Sequence, residues 1–147
     1  MTSAHLIGDL KRDEGLRLKA YPDPRSGAAP WTIGYGHTGP EVREGLAWTR
    51  RQADLALAAD VENTLAELDG RLPWWLGLDP ARADVLANMA FNLGVAGLAS
   101  FASFLALVKQ GHYARAGLDL LATDWARQVG CRARRLALQL SSGVRLP

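Results

Sequence analysis

A single cysteine, Cys131, stands in a chain of 147 residues, so no internal disulfide can brace the fold. Stability must come from packing, as in a protein made in a reducing cytoplasm. Histidine is almost as scarce, with three, and neither residue type falls at metal-ligand spacing; no metal and no other cofactor is expected. No apolar run approaches the length that crosses a bilayer, so stable membrane insertion is not expected either. The opening Met1-Thr2-Ser3-Ala4-His5 lacks the basic and then apolar regions of an export signal. Synthesis in the cytoplasm without a signal peptide is the expectation. Internal repeats and low-complexity tracts are also missing. What remains is ordinary for a globular chain, with 48% hydrophobic residues, 22% charged and 7% aromatic. That is enough to build one core or two small lobes.

The informative residues lie near the start. His5 to Asp13 reads as a short helix with Leu6, Ile7 and Leu10 on one face, and Gly15 is a natural stop. Glu14 therefore falls on the last helical turn. Leu16 to Tyr21 alternates Leu16, Leu18 and Ala20 against Arg17 and Lys19, which is strand period. Pro22, Pro24, Gly27 and Pro30 force a turn, and Trp31 to Tyr35 reads as the returning strand. A helix end facing a hairpin makes a cleft wall, and it carries two acids nine residues apart, Glu14 and Asp23, with Thr32 nine residues further on.

Two carboxylates across a cleft are the minimum equipment for cleaving a glycosidic bond. One must hold a proton for the leaving oxygen, and the other must be ionised to serve a water. A glutamate losing hydration at a helix end suits the first role, and an aspartate in an open polar turn suits the second. With fifteen acids in the chain, such spacing alone also describes solvated surface charge.

The surrounding residues narrow the reading. Arg12-Asp13-Glu14-Gly15-Leu16-Arg17-Leu18-Lys19-Ala20-Tyr21, the following Asp23, and Thr32-Ile33-Gly34-Tyr35-Gly36-His37 resemble the signature of the phage-type lysozymes, a glycoside hydrolase family that includes the T-even bacteriophage enzymes. Asn88-Met89-Ala90-Phe91-Asn92-Leu93-Gly94 resembles the helix lining that family's far cleft wall, and Trp125 with Arg132-Ala133-Arg134-Arg135 its C-terminal pattern. The resemblance implies that Glu14 is the general acid, Asp23 the group serving the attacking water, and Thr32 a hydroxyl positioning that water. It implies hydrolysis, with inversion, of the β-1,4 bond between N-acetylmuramic acid and N-acetylglucosamine in peptidoglycan, and hence bacterial lysis. It further implies that Arg132 lies close enough to Glu14 to form an ion pair. The partner is the peptidoglycan glycan strand, reached in the periplasm after a holin opens the inner membrane if the chain is an endolysin, with a virion-borne enzyme carried in during infection as the competing route. The loop between Asp23 and Thr32 is longer by a few residues than in the T-even enzymes.

Net charge is +2, but unevenly spread. From Asp124 onward Arg127, Arg132, Arg134, Arg135 and Arg145 stand against one acid. Such a cluster attracts polyanions. Peptidoglycan carries peptide carboxylates, whereas no nucleic-acid motif accompanies the arginines, so nucleic acid is not an expected partner.

Thr49-Arg50-Arg51-Gln52 fits a capping box, opening a helix with Leu55, Ala58, Val61, Leu65 and Leu68 at helical spacing to about Gly70. After a connector at Leu72–Gly77, Asp79 and Pro80 start another helix as cap and first residue. Ser100, Gly111 and Gly130 then divide the rest into about three further helices. The expected architecture is an α+β lysozyme-like fold, one domain over 1–147. Its small lobe, about 13–60, holds a short antiparallel sheet, with helix 5–14 packing near the larger helical lobe, about 70–147. A monomer is the default.

Among the remaining candidates, His37 reads as buried and paired with Asp60 on the long helix, a structural ion pair, with catalytic base as the alternative. Thr38 and Phe91 are assigned to substrate, with helix-face core packing as the other reading of Phe91. Two rival functions stay open. A lytic transglycosylase needs an acid but no carboxylate for water, and a catalytically silent peptidoglycan-binding module of a phage tail needs neither.

Overall fold

The computed structural model describes residues 2–146. The chain divides into two compact units, the first ending at Asn63 and the second beginning at Thr64.

The first unit opens with α1, Ala4–Glu14, whose N-terminus is capped by Ser3: its side-chain oxygen accepts the Leu6 N–H at 2.9 Å. Leu6 and Leu10, four apart, are buried along one face, and the Gly15 N–H closes the helix on the Lys11 carbonyl at 3.0 Å. Three antiparallel strands follow in the order β1 (Arg17–Tyr21), β2 (Thr32–Gly34), β3 (His37–Thr38). Leu18, in the apolar row of the alternation, is 41% exposed. Backbone partners, not a covering layer, hold this strand. β2 lies on one side, and on the other the Ala20 N–H donates to Leu46 O while Leu18 O accepts from Trp48 N–H.

The returning strand is shorter than Trp31–Tyr35. It ends at Gly34, with φ 67°, and Gly36 follows at φ 79°. These conformations, which side chains rarely adopt, turn the run into a second tight hairpin that pairs Ile33 with His37. Gly34 is also required by space, since a Cβ there would stand 3.0 Å from the Trp48 ring.

α2 spans Arg50–Arg71, and the boundary between the units falls within it. Its capping box is reciprocal: the Thr49 N–H reaches Gln52 Oε1 at 2.8 Å and the Gln52 N–H reaches Thr49 Oγ1 at 3.2 Å. The buried row is Ala53, Leu57, Val61, Leu65 and Leu68. Leu55, 59% exposed, and Ala58 lie off it, because steps of four back from Val61 lead to 57 and 53.

The second unit is helical beyond the end of α2. A 3-10 turn at Pro73–Gly77 buries Trp75, whose indole N–H donates to Asp69 at 2.8 Å. α3, Pro80–Leu93, has Asp79 as cap and Pro80 at its start. Five helices follow where about three were expected: α4 (Val95–Ala99), α5 (Ala102–Lys109), α6 (Tyr113–Leu121), α7 (Asp124–Val129) and α8 (Cys131–Ser142). The extra breaks come at Gly94, and at Thr123, whose hydroxyl caps α7 through the Ala126 N–H. α6 meets α8 closely, with room for only a hydrogen at Gly117, where a Cβ would stand 3.1 Å from Ala137 O. Arg82 on α3 ties down the end of α8, donating to Leu140 O at 2.7 Å and Ser141 O at 3.1 Å. Among the described residues no helix is long and apolar enough to cross a membrane.

Candidate active site

Glu14 is half-buried at the last position of α1. Its carboxylate lies against the β2–β3 hairpin: a Cβ built on Gly36 would stand 3.2 Å from Glu14 Oε2 and 3.7 Å from its carboxyl carbon. Gly36 thus combines a positive φ with a space the acid already fills.

Asp23 follows β1 by two residues, and its loop closes on it. The Asp23 N–H donates to Ala28 O at 2.9 Å, the Gly27 N–H to Asp23 O at 2.8 Å, and the Arg25 N–H to Asp23 Oδ1 at 3.1 Å. The Ser26 hydroxyl accepts the Ala28 N–H at 3.2 Å. The loop after Asp23 therefore opens as a pinned Asx-type turn. Oδ1 is held within the turn, and Oδ2 has no hydrogen-bond partner among the described residues.

Thr32 opens β2 with Tyr21 opposite it on β1 and Thr38 opposite it on β3. Directly opposed residues of antiparallel strands share a face, so Thr32, Tyr21 and Thr38 stand together. Thr32 and Tyr21 are half-buried and Thr38 is exposed.

His37 has both ring nitrogens engaged. Nδ1 meets Asp60 Oδ2 at 2.7 Å and Nε2 meets Glu41 Oε1 at 2.7 Å, while the ring tilts against Trp48 at 5.3 Å. Burial alone would lower its pKa, but hydrogen bonds to Glu41 and Asp60, with the charges of both, outweigh that and raise it above 6.5. The hydrogen bond from His37 in turn holds Glu41 below 4.5. Asp60 was an expected partner and Glu41 was not, because Glu41 sits in the irregular segment between β3 and α2. Clamped at both nitrogens, the ring braces the unit. Lys11, also unforeseen, pairs with Asp54 at 3.1 Å and stands 5.6 Å over the Tyr35 ring.

In the second unit, Phe91 is half-buried near the end of α3. The polar residues around it tether other helices to α3. Arg132, 8% exposed, donates from Nε to Asn88 Oδ1 at 2.9 Å, and the Trp125 indole N–H donates to Asn92 Oδ1 at 2.8 Å. Beside Trp125 lies a cavity of about 610 Å³, also lined by Phe101, Phe104, Asp119 and Thr123, which no sequence pattern announced.

Residues 11–138 match the family model described as phage lysozyme. The chain is 31% identical over 123 residues to the endolysin of Acyrthosiphon pisum secondary endosymbiont phage 1, covering 84% of this chain and 80% of that protein. It is 35% identical over 126 residues to the endolysin of Salmonella phage P22, covering 81% of each. It is also 30% identical over 164 residues to the pre-baseplate central spike protein of Enterobacteria phage T4, covering 91% of this chain but only 27% of that protein.

Proposed function

The chain belongs to the phage lysozyme family, and from that premise we propose that Glu14, Asp23 and Thr32 carry its hydrolysis of peptidoglycan. Membership makes it a glycoside hydrolase that degrades the bacterial cell wall. The bond cut is the β-1,4 link between N-acetylmuramic acid and N-acetylglucosamine. Glu14 gives its proton to the departing glycosidic oxygen as positive charge develops at the muramic anomeric carbon. A water attacking that carbon from the opposite side loses its proton to Asp23 through Oδ2. The Thr32 hydroxyl orients the water, and the product anomer is inverted. The enzyme acts as a monomer on the periplasmic wall, reached after a holin opens the membrane.

The observation that carries this reading is the seat of Glu14: its carboxylate rests against Gly36, on the hairpin whose first strand bears Thr32. The test is release of reducing ends from purified peptidoglycan by the wild type and by Glu14→Gln. The variant should lose about 10²–10⁴-fold, the share a positioned general acid contributes, with its circular dichroism unchanged. Equal activity would end the assignment. Anhydro-muramic ends in the products would replace hydrolysis by transglycosylation.

A further inference from the structure

We propose that Arg17, held over the Tyr21 ring, is a specificity-determining residue that binds a free carboxylate of the stem peptide carried by the glycan strand. The inference rests on the muramidase reading above and adds to it which walls are preferred.

The guanidinium carbon of Arg17 stands 4.6 Å from the Tyr21 ring centroid, within cation–π range. A free arginine side chain carries about 2 kcal/mol of rotamer entropy, and this stacking restricts it before any ligand arrives. Tyr21 lies directly opposite Thr32, so the two share a sheet face, and a guanidinium lying over the Tyr21 ring is on that face too. The cation is therefore on the sheet face that carries the hydroxyl assigned to the water, on the strand that leads into Asp23.

Its lack of an acid partner separates it from the structural arginines. Arg12 meets Asp9, Arg82 meets Asp79, Arg127 meets Asp124, and Arg145 meets Asp84. Arg17 is exposed and forms no ion pair among the described residues; its one contact of this kind is the Tyr21 ring. A cation–π contact engages the charge through the ring's π face and commits none of the guanidinium's N–H donors to an acid. Those donors match a carboxylate through two parallel hydrogen bonds. The sugars at the scissile bond are uncharged once the lactyl group is amide-linked to peptide, so the carboxylates of such a strand lie on its stems. Amidating those stems removes the anion while leaving the glycan intact.

The test measures kcat and KM for the full chain on two preparations of one peptidoglycan, one with its stem carboxylates free and one with them converted to amides by carbodiimide and ammonia. Wild type should favour the free-acid wall about fivefold in kcat/KM, the upper range for a solvent-exposed ion pair. Arg17→Met should lose that preference through KM with kcat retained, Arg17→Lys should keep part of it, and Arg43→Met, an exposed charge elsewhere in the same unit, should keep all of it. A wild type without preference overturns the proposal, as does an Arg17→Met enzyme that keeps it. An equal loss in Arg43→Met also overturns it, since bulk charge would then suffice. A wild type that releases no reducing ends from either wall defeats the muramidase reading itself.

Discussion

Both units bury apolar residues, Leu6, Leu10, Ile33 and Leu57 in the first being at most 2% exposed, but what each adds to that core differs. In the first, strands of five, three and two residues are braced by charged contacts: His37 between Asp60 and Glu41, and Lys11 on Asp54. The second is packed helix on helix around Leu86, Met89, Leu98, Leu120, Leu136 and Leu140, all at most 1% exposed. Charged braces in short strands hold polar groups in defined places at little gain in stability, whereas buried leucines contribute stability and no chemistry. The assigned acid, water-serving group and hydroxyl all lie in the first unit, on a framework in which the His37–Glu41 contact depends on pH. The second unit's core does not titrate.

The hardest test of that division is Leu136→Ala, in the middle of α8. Removing a fully buried leucine costs about 2–5 kcal/mol, from lost transfer energy and the cavity left behind. Urea unfolding should show that loss, while kcat measured at a temperature where the variant remains folded should stay near wild type. A large fall in kcat without unfolding would show that the core sets the chemistry as well.

Gly36→Ala probes the other side, with a smaller effect on stability and a larger one on activity. At φ 79° a Cβ costs about 1–2 kcal/mol. The added methyl would stand 3.2 Å from Glu14 Oε2, so the carboxylate must give way. Displacement of a reacting group by a fraction of an ångström should lower kcat about tenfold. A variant destabilised but fully active would separate Glu14's seat from its chemistry.

How much of this is legible from residues alone follows the same division between local and tertiary causes. α1, the capping box at Thr49 and the Asp79–Pro80 start of α3 are readable because neighbours a few residues apart define them. The inward row of α2 differs from the expected one at Leu55 and Ala58, since several rows of apolar residues run along that helix and only its packing partner selects one. Trp31–Tyr35 reads as a single strand running past Gly34, because a glycine is compatible with extended backbone and only the fold gives Gly34 and Gly36 their positive φ. Glu14, Asp23 and Thr32 stand out through a motif, but the seat of Glu14 on Gly36 and the stack of Arg17 on Tyr21 depend on fold and register. Glu41 belongs to a segment without periodicity, so nothing marks it as a partner of His37.

His37→Asn carries the smallest expected effect and the sharpest signature. Its half-buried pair with Asp60 is worth about 1 kcal/mol after discounting for solvent. The sign follows from the direction of each shift. His37 titrates above 6.5 in the folded protein, so its contribution is complete below pH 6.5 and is lost as pH rises through the raised folded value. Glu41 titrates below 4.5 when folded, so its contribution is present above pH 4.5 and is lost as pH falls through the lowered value. The stability gap between wild type and His37→Asn should therefore be flat between pH 4.5 and 6.5 and close as the solution becomes alkaline. Glu41→Gln should bring the His37 titration, followed by NMR, back toward 6.5. The core of the second unit supplies the contrast, because the loss in Leu136→Ala should be the same at every pH where both proteins fold. A His37→Asn gap that persists unchanged into alkali would mean that the ring acts by packing on Trp48, and the distinction between a titrating unit and a packed one would disappear.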